Sequence, residues 1–316
     1  MLNLTSTLTS KSANDCSGCS LCLLVCPVWR RTRDVALTPH GRAKALQHGA
    51  SAADIAASID SCTLCMACDP VCPERIDLTA MLINLRRQLA GVQSELPTRP
   101  IAPALALPTS TVFLPAPSLR QNARLLVQIT SHLGDISVHS DDGSDLVQAL
   151  EAGIDTPPAR LEEFLAPLRH CKEIIIADGL LLHFLRIYLP NVKLRSLGEA
   201  LSTLPRIRHG LLSTDLYVIE SRAYHSDYER LVRHYNQLRA EQGCAMNLDL
   251  QRIAIPATAR SLSQRQGQSS ADDDRQQGEW LLHGRHIKRL VVESIEEGIA
   301  LEKITQLPVI HLAELG

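Results

Sequence analysis

The spacing of the cysteines constrains this 316-residue chain more than any other feature: eight of the ten stand in two short runs. Cys16-Ser-Gly-Cys19-Ser-Leu-Cys22-Leu-Leu-Val-Cys26-Pro27 and Cys62-Thr-Leu-Cys65-Met-Ala-Cys68-Asp-Pro-Val-Cys72-Pro73 are two copies of one pattern, C-x2-C-x2-C-x3-C-P. A [4Fe–4S] cubane needs four soft thiolates on its iron corners, and two-residue steps let three of them wrap it from one loop. The fourth cysteine, one residue further on, points to the neighbouring cluster. The pattern therefore assigns Cys16, Cys19, Cys22 and Cys72 to one [4Fe–4S] cluster, and Cys62, Cys65, Cys68 and Cys26 to a second. Zinc favours C-x2-C pairs separated by a longer loop, four ligands in all, and fits two runs of four poorly. Gly18, Ser17 and Ala67 are small enough to bring backbone N–H groups close to cluster sulfur. Pro27 and Pro73 turn the chain out of each loop. Two clusters held by crossed ligands lie side by side and make a short path for electrons.

Composition narrows the rest. A formal net charge of -2 and a pI near 6.6 give no general pull toward nucleic acid or an anionic membrane. No apolar run reaches the roughly 18 residues of a spanning helix; the stretch from Ile174 to Leu189 is broken by Asp178, His183 and Arg186. The first residues, MLNLTSTLTSKSAND, have neither the basic nor the apolar region of a secretory signal. Clustered cysteines without such a signal point to metal rather than disulfides, and the expected compartment is the cytoplasm.

Four segments separate along the chain. Residues 1–92 hold the cysteines and read as helical, and 93–110 carry Pro97, Pro100, Pro103 and Pro108 and read as an extended linker. Residues 111–210 and 211–316 alternate strand and helix patterns, which implies two α/β lobes with parallel sheets. A Ser-, Gln- and Asp-rich insert at 258–278 is expected to be flexible. Ser51 to Asp54 forms a capping box ahead of Ile55 and Ile59. Asp77 N-caps a helix that places Leu78, Met81, Leu82, Leu85 and Leu89 on one face and stops at Gly91. Lys172–Leu201 and Lys288–Leu315 form an internal repeat: charged residue, β-branched strand, helix, then a strand (192–197; 308–312) ending in Leu-x-Glu. The fold class is thus an α-helical ferredoxin-type domain followed by two α/β lobes.

The paired motifs, the Thr38-Pro39-His40-Gly41-Arg42 segment and Arg86 resemble the iron–sulfur module of heterodisulfide reductase C subunits. The same module occurs in the iron–sulfur subunits of glycolate oxidase, anaerobic glycerol-3-phosphate dehydrogenase and lactate utilisation. The remainder is similar to the CCG domain that accompanies this module, with Ile174–Ala177, Val192–Leu201, Tyr224-His225 and Val309–Leu315 in the matching places. That family places a Cys-Cys-Gly doublet in each lobe to bind a catalytic cluster, and this chain has no such doublet. At the Tyr-His motif it reads Tyr224-His225-Ser226-Asp227-Tyr228, with Tyr228 where the cysteine belongs. The resemblance implies two CCG-like lobes that kept the fold and lost the metal. It also implies an electron-transfer subunit with no active site of its own, working with a flavoprotein or other redox subunit of a heterodisulfide-reductase-like complex. The alternative complex is a flavin-linked 2-hydroxyacid or glycerol-3-phosphate dehydrogenase that feeds quinone. Membrane association could then come through partners.

Other candidates carry less. Cys171 and Cys244 are read as small core or surface residues, with a disulfide between them unsupported. His225, beside Tyr224 and Asp227, is read as packing left from the ancestral motif. The basic stretch His283 to Arg289 fits a partner contact or a solvated face. No glycine-rich phosphate or dinucleotide motif signals a flavin of the chain's own.

Overall fold

A computed structural model describes residues 11–91, 110–250, 252–265, 267 and 271–316. The expected linker, Ser110 excepted, lies outside these residues. The N-terminal region is built from short helices because the cysteine loops interrupt the chain before any helix can grow long. They span Leu21–Leu24, Pro27–Thr32, Pro39–Gln47 and Ala56–Ser61, and a longer one covers Leu78–Ala90. Cys26 is the N-cap residue of the second, so Pro27 opens a helix at the position where its missing N–H costs nothing. Asp77 caps the longest by accepting from Ala80 N at 2.7 Å, and Gly91 ends it at φ +67°. Leu78, Leu82 and Leu85 face inward as the period demands. Leu89, in the last turn, is 40% exposed, so the buried stripe ends one turn early. The Ser51–Asp54 capping bonds form in both directions, although the regular helix begins only at Ala56.

The rest of the chain holds two four-stranded parallel sheets. In the first, β1 (Thr111–Leu114), β2 (Ser137–Val138), β3 (Glu173–Ile176) and β4 (Lys193–Ser196) run in the order β2-β1-β3-β4. The second contains β5 (Asp215–Val218) and β6 (Ala245–Met246). A small antiparallel hairpin follows, β7 (Leu248–Asp249) with β8 (Ile253–Ala254), before β9 (Arg289–Val292) and β10 (Val309–His311) return to the sheet. Its order is β10-β9-β5-β6, which is the first order again when each sheet's strands are counted from its own start. The two copies of the repeat supply β3 with β4 and β9 with β10. Each Leu-x-Glu turn starts a helix, at Leu197 and at Leu312.

Period-two alternation explains how the sheets are buried on both faces. Phe113 and Ile175 of the first sheet share one core with Tyr217 and Val291 of the second. Their neighbours point the other way: Val112, Leu114, Ile174 and Ile176 into one outer core, Leu216, Val218, Leu290 and Val292 into another. The lobes therefore meet through a common interior.

The polar insert differs from its expectation. Its described residues fold into helices at Leu262–Arg265 and Ala271–Leu282. Polar composition reads as disorder only while the polar groups lack partners, and here they have them. Ser263 donates to both carboxylate oxygens of Asp60, Gln277 reaches Pro256 O, and Asp274 accepts from Ala259 N and pairs with Arg260. The His283–Arg289 stretch is likewise partly engaged: Arg289 pairs with Asp215, and Arg285 donates to Met246 O. No helix among the described residues is long and apolar enough to cross a membrane.

Candidate metal centre

The two cysteine loops share a backbone as well as a spacing. Gly18 and Ser20 are left-handed at φ +82° and +65°, and Leu64 and Met66 repeat this at +53° and +64°. Left-handed residues recur in nests, the concavities of backbone N–H groups that receive anions and iron–sulfur clusters. For Leu64 and Met66 the conformation costs on the order of 1 kcal/mol each. Both are about 98% buried, and packing holds them there. Gly18 occupies a left-handed position and its counterpart is Leu64, while Ser17 lines the hollow of the first loop and Ala67 that of the second.

The loops enclose two hollows. One is lined by Cys16, Cys19, Cys22 and Cys72, the other by Cys62, Cys65, Cys68 and Cys26. Each takes three cysteines from its own loop and the fourth from the other. Pro39 and Leu78 line both, so the hollows are neighbours. Among the described residues no three His, Cys, Asp or Glu side chains converge tightly enough to share one ion. Thiols spread around a hollow suit the corners of a cluster better than a zinc site. All ten cysteines are free thiols. Burial pushes Cys26 up to about 12 and raises Cys65 as well, so loading such a site expels protons.

Basic and polar side chains tie the loop carbonyls down. Lys44 Nζ and Gln47 Nε2 both donate to Cys16 O, at 3.0 and 2.9 Å. Arg86, 1% exposed, donates to Cys62 O at 2.8 Å and to Glu151 O at 2.8 Å, joining the second loop to the first sheet's domain. Gly153 permits this approach, since a Cβ there would lie 2.3 Å from Arg87 N. Asp69 accepts from Leu78 N and Thr79 N and from the Thr79 hydroxyl, fastening the second loop to the helix after it.

His225 is more than packing. Its Nδ1 donates to Cys65 O at 2.8 Å across 160 residues of sequence, and burial lowers its pKa to about 4, so the ring is neutral. Tyr224 donates to Arg252 O at 2.6 Å, and Tyr228 packs beside Val25, Cys65 and Ala67. The Tyr-His turn thus sits directly on the second loop. Its sequence signal was the Tyr-His pair; its partner was invisible because it lies in another domain. Cys171 and Cys244 are buried in separate cores and line neither hollow.

With this geometry in place, residues 12–76 match the family model of a 4Fe-4S dicluster domain. No curated protein matches the chain, and no solved structure does. The N-terminal region is an iron–sulfur module that binds [4Fe–4S] and serves electron transfer.

Proposed function

We propose that this chain is the electron-transfer subunit of a heterodisulfide-reductase-like complex, passing electrons between a flavoprotein partner and an acceptor through two [4Fe–4S] clusters. The observation that carries the reading is the pair of adjacent four-thiol hollows, each completed by the other loop's last cysteine. Cys16, Cys19, Cys22 and Cys72 would hold one cluster, and Cys62, Cys65, Cys68 and Cys26 the other. A [4Fe–4S] cluster supplies reversible one-electron storage when bound.

The chain's own residues set the conditions. The left-handed turns at Gly18, Ser20, Leu64 and Met66 would let backbone N–H groups face a bound cluster. Lys44, Arg86 and His225 hold the loop carbonyls, so the thiols keep their positions when charge changes. The CCG-like sheets, which carry no cysteine doublet, meet the second loop through His225 and through Glu151 O, which Arg86 of the N-terminal domain links to Cys62 O. Anaerobic purification followed by iron and sulfide analysis tests the reading. Iron and sulfide for two four-iron clusters, with visible absorption bleached by dithionite and restored over repeated cycles, supports it. Zinc without iron, or clusters that cannot be reduced and reoxidised, overturns it.

A further inference from the structure

The Thr38-Pro39-His40-Gly41-Arg42 segment builds a wall shared by the two hollows. Thr38 N-caps the helix Pro39–Gln47 by accepting from Gly41 N at 3.2 Å, and Pro39 opens it. Gly41 lets the turn Val35–Leu37 lie against that helix, since a Cβ there would stand 2.1 Å from Val35 O. The approach brings Leu37 O to Arg42. Arg42 Nη1 donates to it at 3.2 Å, to Ser58 O at 2.7 Å and to the Ser58 hydroxyl at 3.2 Å. The helix Ala56–Ser61, which carries Ser58, runs directly into Cys62. Arg42 is thereby fixed between two elements at the edge of the second loop.

One helix serves both hollows and gives each a different charge. Pro39 lines both, His40 and Ala43 line the first, and Arg42 lines the second. Among the described residues around the second hollow, Arg42 is the only charged side chain apart from the cysteines. It is 3% exposed, its Nε has no hydrogen-bond partner, and among the described residues no carboxylate pairs with it. Neighbouring charges are directed elsewhere. Arg30 pairs with Asp249, Arg222 and Arg265 pair with Glu151, and Arg86 donates to Cys62 O and Glu151 O. Asp69, the acid within the second loop, accepts from Leu78 N, Thr79 N and the Thr79 hydroxyl. A buried cation without a counter-ion is strongly unfavourable, so such a group is kept where a negative charge meets it.

We infer that Arg42 is the built-in counter-ion of the cluster held by Cys62, Cys65, Cys68 and Cys26, and that it raises that cluster's reduction potential. The inference rests on the electron-transfer reading. Four thiolates outweigh the charge of an oxidised core, so the site is anionic before it is reduced. Taking one electron from a reduced partner reduces iron, makes and breaks no bond, and adds one negative charge. Burial among Val28, Leu64, Met66 and Leu82 penalises that added charge. A fixed guanidinium in the wall offsets the penalty, and arginine keeps its charge at any working pH. The first hollow is arranged otherwise: Cys19 is exposed, and the acid in its wall, Glu74, pairs with Lys11 at 3.7 Å.

The test is a redox titration of the full chain carrying its clusters, followed by EPR, with the second cluster's signal identified as the one that survives Cys72→Ser. Arg42→Gln should lower that cluster's midpoint by a tenfold or greater loss in its reduced-to-oxidised ratio, about 59 mV for one electron. The other midpoint should move by less than half as much, being further from the lost charge. Arg42→Lys, which keeps the charge, should restore most of the midpoint. In case Arg42→Gln takes up no iron, Ser58→Asp decides, because it leaves Arg42 in place and sets a carboxylate beside Nη1. That variant should lower the same midpoint. Midpoints unmoved by both changes in iron-loaded chains, or an Arg42→Lys midpoint as low as that of Arg42→Gln, overturn the inference. Arg42 would then be a strut between Leu37 O and Ser58 O, and the electron-transfer reading would stand. A wild-type chain that cannot be reversibly reduced refutes that reading and this inference with it.

Discussion

The two cysteine loops have the same spacing and the same left-handed positions, yet they sit in different surroundings. Both hollows have mixed walls, Ser17, His40, Ala43 and Ile76 around Cys16, Cys19 and Cys22, and Arg42, Thr63, Leu64 and Leu82 around Cys62, Cys65 and Cys68. Cys19 of the first is exposed, whereas Cys65 of the second is buried and packed against Tyr228 and bonded by His225 of the second lobe. The carbonyls of the outer loop are held by its own domain, through Lys44 and Gln47. Those of the inner loop are held from both sides: Cys62 O by Arg86 of the same domain, and Thr63 O by Arg265 and Cys65 O by His225 from the second lobe. Spacing therefore specifies what is bound, and the environment specifies what each copy faces. Exposure and hydrogen bonding tune cluster potentials, so the two sites should differ in potential as well as access. The outer one lies nearer the surface and the inner one nearer the interior.

The sharpest way to break this comparison is to remove a crossed ligand. Cys72→Ser should destroy the outer cluster and spare the inner one, halving the iron content. Loss of the inner cluster alone, read by EPR, would refute the crossed assignment. Arg86→Leu strips hydrogen bonds from two buried carbonyls and a charge from the interior, and should cost about 3 kcal/mol in denaturant unfolding. Stability unchanged within error would show that Arg86 does not tie the domains.

A control touches neither hollow. Glu293, buried among Tyr217, Tyr235 and the Glu220 amide, is raised to about 7. Its effect is absent below about pH 4.5 and grows as pH rises to about 7, because the unfolded chain ionises first. The stability lost over that window is on the order of 3 kcal/mol at most. Glu293→Gln should flatten this slope in melts between pH 5 and 8 and leave both cluster signals in place. His225→Phe removes one hydrogen bond, about 1 kcal/mol, and should move only the inner signal. Lys44→Met should cost less than about 1 kcal/mol and move only the outer signal.

Local patterns were legible. The cysteine runs, Asp77 as a cap, Gly91 as a stop and the apolar runs of β3 and β9 each carry their meaning within a few residues. The repeat was legible because the two copies supply corresponding strands of two sheets with one topology. What the sequence hid depends on pairing across long distances. Ser263 and Gln277 look like disorder until Asp60 and Pro256 O stand opposite them. His225 looks like packing until Cys65 O meets it.

An EPR-monitored redox titration of the intact chain tests the central claim most directly. Two separately titrating signals that broaden each other when both clusters are reduced, with His225→Phe displacing one of them, is the predicted result. A single signal, or two that move together in that variant, would contradict the picture of one outer and one inner cluster held side by side.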